Sequence, residues 1–290
     1  MRLRSMLYIP GNSPAMIQQA PVFGADSILL DLEDAVALSE KDSARDLVCA
    51  FLKGLDFGTV VVTVRLNGSD TPFFDGDLRA VIPCRPAAVR LPKCSSPQDV
   101  LACDALMAEL ERESGLDVGT VKLHAMIETA RGLSNAQAIA DCCPRVTALT
   151  LGGQDLTADM GVRKTREGKE LFTARTLVAL AARAAGIDAF DTVWTDVNDN
   201  EGLLEETKAV VGLGFSGKAA IHPGQIEWIH KAFVPEAKEI VRARRIVEAA
   251  QAAEAEGRGV VSVDGRMVDA PVVKRALHTL EMARLAEEVL

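Results

Sequence analysis

Short apolar runs alternate with longer amphipathic segments along most of the 290-residue chain, and this alternation limits the possible folds more than any other feature. Eight of the runs have the length and residue preferences of strands: 5–10, 27–33, 59–67, 87–93, 121–128, 146–153, 189–193 and 217–223. Eight strands separated by helical segments predict parallel β–α units and a closed (β/α)8, or TIM, barrel of the α/β class. No G-x-G-x-x-G follows the first strand, which disfavours a dinucleotide-binding sheet.

Capping residues locate several helices between these strands. Helical spacing is clearest over four segments: 39–55, 96–114, 173–186 and 201–214. Ser39 is expected to cap the first segment, Ser96-Pro97 begins the second, and a glycine ends each of the last two.

The C-terminal part departs from the alternation of strands and helices. Residues 236–259 predict a long charged helix, 260–269 a hairpin that turns at Asp264-Gly265, and 270–290 a final helix. We therefore predict a catalytic barrel over 1–232 and a helical and hairpin extension over 233–290. Because a finished barrel does not need the extension, we expect it to act as a lid and as an oligomer contact.

Composition excludes several classes of function. The net charge of −9 and the pI near 5.1 argue against a nucleic-acid partner or a polybasic membrane patch. None of the six cysteines forms a C-x-x-C pair, so a thiolate metal site is not expected. The chain has no apolar run long enough for a membrane span and none typical of a signal peptide, which predicts a soluble cytoplasmic protein.

Polar side chains follow the predicted strands where chemistry gathers in barrels of this kind, at the carboxyl ends. The candidates are Asp31, Glu33, Arg65, Glu128, Gly153 and Asp155. Glu128 and Asp155 follow neighbouring strands and together suit a hard divalent cation such as Mg²⁺. Arg65 has the planar fork that grips a carboxylate, and a metal beside such an arginine suits a 2-oxo acid. Asp34 is interpreted as a helix cap.

Nine stretches of the sequence resemble the citrate lyase β-subunit (CitE-like) family, within the superfamily of HpcH/HpaI aldolases and malyl-CoA lyases. They are RSMLYIPGNSPAM, LLDLEDAV, VVTVRLN, VRLPK, AMIETARG, LGGQDL, AFDTVWTD, GFSGKAAIHPGQI and GRMVDAPVVKRA. They extend from residue 4 to about residue 276, which is nearly the whole chain.

The resemblance implies roles for individual residues. It implies Mg²⁺ held by Glu128 and Asp155, an oxo acid bound by Arg65, and substrate contacts that include Gly153. Asp269 matches the aspartate of an M-V-D-x-P segment. In the family this segment belongs to a C-terminal lid, and its aspartate acts in acid–base chemistry. A homotrimer or hexamer and a CoA or acyl-carrier thioester are also implied.

Asp31 and Glu33 lie two residues apart and point the same way in a strand, so we expect both beside the metal. There they would hold metal-bound water or orient Arg65; the alternative is that they only cap the helix near residue 39.

The expected reaction is Mg²⁺-dependent carbon–carbon cleavage of a 3-hydroxyacyl thioester to an acetyl thioester and a 2-oxo acid such as oxaloacetate. The alternatives are a stand-alone citramalyl-CoA or malyl-CoA lyase or thioesterase, and a non-catalytic subunit of an acyl-carrier complex. The sequence leaves open which oxo acid is used.

Overall fold

Parallel strands close into a barrel in chain order in the computed structural model, which describes residues 3–255 and 260–287. The barrel strands are β1 (Ser5–Pro10), β2 (Ser27–Asp31), β3 (Val61–Arg65), β4 (Ala88–Leu91), β5 (Lys122–Ile127), β6 (Val146–Leu151), β7 (Asp188–Asp191) and β8 (Gly217–Ala220). Closure occurs where Met6 of β1 pairs with Ala219 of β8. The predicted (β/α)8 barrel is therefore confirmed.

Helices occupy the connections between the strands. They are α1 (Pro14–Gln19), α2 (Lys41–Gly54), α3 (Phe74–Val81), α4 (Pro97–Glu113), α5 (Ala130–Ser134), α6 (Ala136–Asp141), α7 (Gly153–Asp159), α8 (Phe172–Ala185), α9 (Asn200–Leu213) and α10 (Ile226–Phe233). Ser96 forms a capping box with Asp99, and left-handed Gly186 and Gly214 end α8 and α9 as predicted. The predicted Ser39 cap is wrong, because Ser39 lies in a 3-10 turn and α2 begins at Lys41 without a side-chain cap.

Most strands end earlier than the sequence predicted, and the difference places polar residues at the barrel mouth. The predicted strand over 27–33 ends at Asp31, because the Asp31 carboxylate accepts hydrogen bonds from the backbone nitrogens of Glu33 (2.9 Å) and Ala35 (3.1 Å). The predicted strand over 146–153 ends at Leu151, since Gly153 already begins α7. Residues 32–33 and 152–153 therefore lie beyond the end of the sheet, at the barrel mouth, and not on a face of the sheet.

The barrel interior is filled with side chains below this mouth. Met6, Ala148 and Phe190 form a buried apolar cluster against Leu3. The barrel interior is therefore a packed core and not a pore, as in other barrels of this architecture, whose active sites lie at the carboxyl ends of the strands.

The chain divides into two compact units, Met1–Ile229 and His230–Leu290, with the division inside α10. The second unit contains α11 (Ala237–Ala255), an antiparallel hairpin of β9 (Val261–Val263) and β10 (Arg266–Val268), and α12 (Ala270–Glu287). The hairpin turns at Asp264 and Gly265, which both have positive φ, as a two-residue turn requires. Residues 256–259 and 288–290 of the predicted helices lie outside the described residues, and the lid and oligomer-contact roles stay predictions.

The apolar core of the second unit joins its helices to its hairpin. Ala243, Ile246, Val268 and Ala276 are buried together. Among the described residues, no helix has both the length and the apolar character needed to cross a membrane.

Candidate active site

A cavity of about 420 Å³ opens at the carboxyl ends of the barrel strands. Four predicted site residues line it: Asp31, Arg65, Gly153 and Asp155. Apolar side chains cover the rest of the wall, among them Met16, Met126, Leu151, Val193, Ala219 and Ile221. Glu33 and Glu128 lie buried directly behind this lining, with 5% and 1% of their surface exposed.

Arg65, at the end of β3, is held by the chain's own carboxylates. Its Nε and Nη2 atoms each donate a 2.7 Å hydrogen bond to one oxygen of Asp31, which is the two-pronged geometry that only arginine provides. Burial alone would raise the pKa of Asp31, but the hydrogen bonds and charge of Arg65 outweigh it and hold that pKa below its usual value. Asp31 therefore stays ionised and fixes the orientation of the guanidinium.

Asp34 also contacts this arginine, and its interpretation as a helix cap is wrong, because neither the 3-10 turn over Leu38–Glu40 nor α2 has a side-chain cap. Asp34 Oδ2 lies 3.2 Å from Arg65 Nη1, and the Asp34 side chain is 60% exposed. It is the most accessible and most distant of the three acids on Arg65.

Among the residues that the structure describes, none donates an aligned hydrogen bond to the buried carboxylate of Glu33. Arg65 Nη1 lies 2.8 Å from Oε2 and Lys93 Nζ lies 3.4 Å from Oε1, but neither contact has the alignment of a hydrogen bond. Burial raises the pKa of Glu33 to about 7, and Arg65 and Lys93 offset only part of that effect. Two buried oxygens without a donor are what an additional ligand, such as metal-bound water, would satisfy.

Glu128, immediately after β5, accepts a 2.5 Å hydrogen bond from the backbone nitrogen of Lys93. Lys93 adopts a left-handed backbone conformation with φ of 53°, which is costly for a residue with a side chain and typical of a functional constraint. Burial raises the pKa of Glu128 to about 8, and the charges of Glu33 and Asp155 add to this rise. The carboxylates thus repel one another across the site.

The glycine pair before Asp155 allows α7 to approach two strands closely. A Cβ atom on Gly152 would lie 2.5 Å from Glu128 Oε2, and one on Gly153 would lie 2.9 Å from Thr192 Cγ2. The Gly153 nitrogen donates a 3.0 Å hydrogen bond to Thr192 Oγ1, so this nitrogen is not available to a substrate. The pair thereby brings Asp155 to the cavity beside Glu128.

The charge of this mouth fits a divalent cation. Five carboxylates (Asp31, Glu33, Asp34, Glu128 and Asp155) face two cations (Arg65 and Lys93), which leaves three formal negative charges when all are ionised. The described residues contain no group of three or more His, Cys, Asp or Glu side chains able to hold a metal. Mg²⁺ typically takes only one or two carboxylates and completes its shell with water and substrate oxygens, so Glu128 and Asp155 fit it.

We expect the stability of the metal-free protein to fall as the pH rises from about 5 to about 8. Glu33 and Glu128 have folded-state pKa values of about 7 and about 8, above the ordinary 4.5, so the folded state keeps protons that the unfolded state has released. Stability then decreases with pH across this window, by ~2 kcal/mol or more. Thermal unfolding in EDTA should show the decrease, and Glu33→Gln or Glu128→Gln should each reduce it.

The exposed helical acid Glu113 provides the control for this measurement. Glu113→Gln should retain the pH dependence of the original protein. A melting temperature that is constant from pH 5 to pH 8 would contradict the raised pKa values of Glu33 and Glu128.

Sequence reasoning missed a buried ion network behind β7 and β8. Lys218 Nζ contacts Asp191 Oδ2 (2.6 Å), Glu206 Oε1 (2.7 Å) and the Thr192 carbonyl (2.9 Å), and Arg175 bridges the same two acids. Because Thr192 in turn holds Gly153, the network braces the start of α7. A lysine inside the apolar strand GKAAI was the available signal.

Lys41 was missed for a different reason. It is buried at the start of α2 and donates to the carbonyls of Leu32 (2.7 Å) and Glu33 (2.6 Å), which stabilises the segment that carries Glu33. In the sequence Lys41 cannot be distinguished from a lysine on an exposed helix surface, so its burial was not predicted.

Asp269 belongs to the second unit, where it caps α12. Its Oδ1 accepts a 3.2 Å hydrogen bond from the Val272 nitrogen. Its other carboxylate oxygen has no partner among the described residues, so capping leaves half of the group available for chemistry.

A (β/α)8 barrel with charged side chains gathered at the carboxyl ends of its strands has the architecture of a TIM-barrel enzyme. The chain belongs to the HpcH/HpaI aldolase/citrate lyase family, whose model matches residues 4–223. This membership makes it a carbon–carbon lyase.

Individual relatives cover almost the whole chain. The citrate lyase subunit beta of Leuconostoc mesenteroides subsp. cremoris is 45% identical over 97% of this chain and 93% of its own length. A (3S)-malyl-CoA thioesterase of Cereibacter sphaeroides is 38% identical over 97% and 94%.

Two solved structures from Mycobacterium tuberculosis are also similar. CitE in complex with magnesium, acetoacetate and coenzyme A is 31% identical over 98% of both chains, with a TM-score of 0.83. A citrate lyase beta subunit complexed with oxaloacetate and magnesium is 30% identical over 81% of this chain and 98% of its own, with a TM-score of 0.69.

Proposed function

We propose that this protein is a Mg²⁺-dependent lyase that cleaves a citryl-type 3-hydroxyacyl thioester to an acetyl thioester and a 2-oxo acid such as oxaloacetate. The observation that carries the proposal is the mouth of the barrel, where buried Glu128 and exposed Asp155 lie near an arginine held in place by Asp31. Relatives that bind magnesium with oxaloacetate, or with acetoacetate and coenzyme A, support it.

Arg65 has hydrogen-bonding capacity left for the oxo-acid carboxylate. A guanidinium has five N–H groups; Nε and one N–H of Nη2 serve Asp31, and Nη1 faces Glu33 and Asp34. No described residue accepts a hydrogen bond from the second N–H of Nη2, which is therefore available to a substrate. A substrate carboxylate can also displace the exposed Asp34 from Nη1, because that contact is the weakest of the three.

Glu128 and Asp155 would hold the Mg²⁺, which when bound stabilises negative charge on the substrate's hydroxyl or keto oxygen. Asp31 keeps Arg65 in a fixed orientation, and Glu33 supplies unsatisfied oxygens beside the same site. The apolar part of the wall would lie against the carbon atoms between which the bond breaks.

Proton transfer is assigned to Asp269. Cleavage requires removal of the hydroxyl proton, after which the C–C bond electrons form the enolate of the acetyl thioester, and that carbon is then protonated. We propose that Asp269 moves one of these protons, in one direction of the reaction or the other. Under this proposal the protein is a homotrimer or hexamer, takes CoA or an acyl-carrier protein as thioester carrier, and works alone or with other citrate lyase subunits.

A panel assay tests the proposal. Citryl-CoA, citramalyl-CoA and malyl-CoA are each incubated with the protein in Mg²⁺ and in EDTA. Acetyl-CoA and the matching oxo acid should form from at least one substrate, only with Mg²⁺. No acetyl-CoA from any of these, or from citryl-acyl-carrier protein, would exclude lyase activity. If no free CoA were released either, a non-catalytic subunit role would remain.

A thioesterase is the second candidate, because a (3S)-malyl-CoA thioesterase is among the relatives. In the same assay it would release free CoA and malate from malyl-CoA without acetyl-CoA. The ratio of free CoA to acetyl-CoA therefore separates the two activities.

We expect Asp269 to act on the active site of a neighbouring subunit. Arg65→Ala and Asp269→Ala proteins, each inactive, should recover part of the activity when they are unfolded and refolded together, since some sites then combine both intact residues. Each protein refolded alone is the control. Mixed oligomers, verified by mass spectrometry, that stay inactive would exclude a shared site.

A further inference from the structure

Arg90 on β4 is a cation inside the barrel that has no counter-charge in the described part of the chain. It is fully buried, and no carboxylate among the described residues pairs with it. Nη1 donates a 2.6 Å hydrogen bond to the Tyr8 hydroxyl, Nη2 lies 3.0 Å from the Met6 sulfur, and Nε has no partner. Burying a cation without a counter-charge is costly, so such a residue is retained for a reason other than stability.

The neighbouring His124 does not provide the missing charge. Burial and the charge of Arg90 lower the pKa of His124 to about 3, so the ring is neutral at physiological pH. Within the described ranges, neither the buried Nδ1 atom of His124 nor the hydroxyl of Thr150 on the next strand has a hydrogen-bond partner. Arg65 differs sharply from Arg90, because Asp31 and Glu33 already balance its charge.

Tyr8 on β1 connects this cation to the cavity. Tyr8 lines the cavity and its ring lies close to two guanidiniums, with the Cζ atoms of Arg65 and Arg90 at 5.4 Å and 5.6 Å from the ring centre. Arginine has no acceptor, so the Tyr8 oxygen must accept the hydrogen bond from Arg90. The hydroxyl hydrogen of Tyr8 is left to donate elsewhere, and no described residue accepts it.

We infer that Tyr8 is a substrate-binding residue whose hydroxyl donates a hydrogen bond to a carboxylate oxygen of the 2-oxo acid, and that Arg90 is its positioning residue. The bound anion then supplies the counter-charge that Arg90 lacks, with the phenol between the two. A hydroxyl that already accepts from a cation is a stronger donor, because hydrogen bonds in a chain polarise one another. This inference rests on the proposed function.

Titration calorimetry with oxaloacetate, in saturating Mg²⁺, tests the inference on the original protein, Tyr8→Phe, Arg90→Met and the double variant. Tyr8→Phe should weaken oxaloacetate binding ~10-fold or more, since hydrogen bonds to charged groups are among the strong ones, while Mg²⁺ affinity stays unchanged. Arg90→Met should weaken oxaloacetate binding when Tyr8 is present and have little further effect when it is combined with Tyr8→Phe. It should not lower thermal stability, because it removes an unpaired buried cation.

Tyr8 is the only tyrosine of the chain, so a ring-labelled tyrosine gives a single magnetic resonance signal that reports on this residue. The signal should shift on addition of oxaloacetate and stay in place with an apolar additive of similar size. Normal oxaloacetate binding by Tyr8→Phe would overturn the inference and leave the proposed function standing. Additive effects of the two substitutions would exclude the positioning role of Arg90. Failure of the original protein to bind any oxo acid would overturn both inference and function.

Discussion

Glu128→Ala and Asp155→Ala proteins should each fold and lose Mg²⁺ binding, with affinities reduced ~100-fold or more and no measurable cleavage. Each substitution removes one of two proposed protein ligands, and a cation that takes so few carboxylates has no substitute for either. Glu128→Ala should also stabilise the metal-free protein above pH 7, because it removes a buried carboxyl whose pKa is raised to about 8. Calorimetric titration and thermal unfolding measure the two effects.

Asp141 offers a matched control for Asp155. It is an exposed aspartate at the end of α6 and does not line the cavity. Asp141→Ala should bind Mg²⁺ and turn over substrate normally. Unchanged Mg²⁺ affinity in both Glu128→Ala and Asp155→Ala would show that the metal is held elsewhere.

Arg65→Lys should weaken oxo-acid binding far more than Mg²⁺ binding. Lysine keeps the charge but cannot donate two parallel hydrogen bonds to Asp31, so the cation loses its fixed direction and the buried carboxylate loses a partner. We expect oxaloacetate affinity to fall ~10-fold to 100-fold and the free energy of unfolding to fall by ~2 kcal/mol.

Arg79 provides the comparison for this substitution. It is half exposed and pairs with Asp75 one helical turn away, in a surface contact of little energetic weight. Arg79→Lys should therefore change neither binding nor stability. If Arg65→Lys binds oxaloacetate, pyruvate and glyoxylate normally, the role of Arg65 is structural.

The barrel and the polar ends of its strands could be predicted from the sequence because both depend on short-range periodicity. Glu128 and Asp155 stand out as acids directly after apolar strands, and LGGQDL shows that a close approach follows. The sequence predicted strand ends that lie a few residues beyond the observed ones, and for β2 the cause is local. The side chain of Asp31 binds the next backbone nitrogens and turns the chain out of the sheet, which residue preferences alone do not reveal.

Contacts between distant segments could not be predicted in this way. Tyr8 and Arg90 are 82 residues apart and meet only because β1 and β4 point side chains into the same barrel interior. The burial of Lys41 and Lys218 depends likewise on which helix packs over which strand. A single sequence shows the charge of such residues but not the partners that the fold assigns to them.

Three apolar residues of the cavity wall come from elements other than those that carry the acids and Arg65. The acids and Arg65 come from β2, β3 and β5 and from the start of α7, whereas Val193, Ala219 and Ile221 come from β7, β8 and the segments after them. Candidate substrates differ by as little as one methyl or carboxymethyl group. A mutant library restricted to these three apolar positions should therefore shift preference among acids while every charged group stays in place.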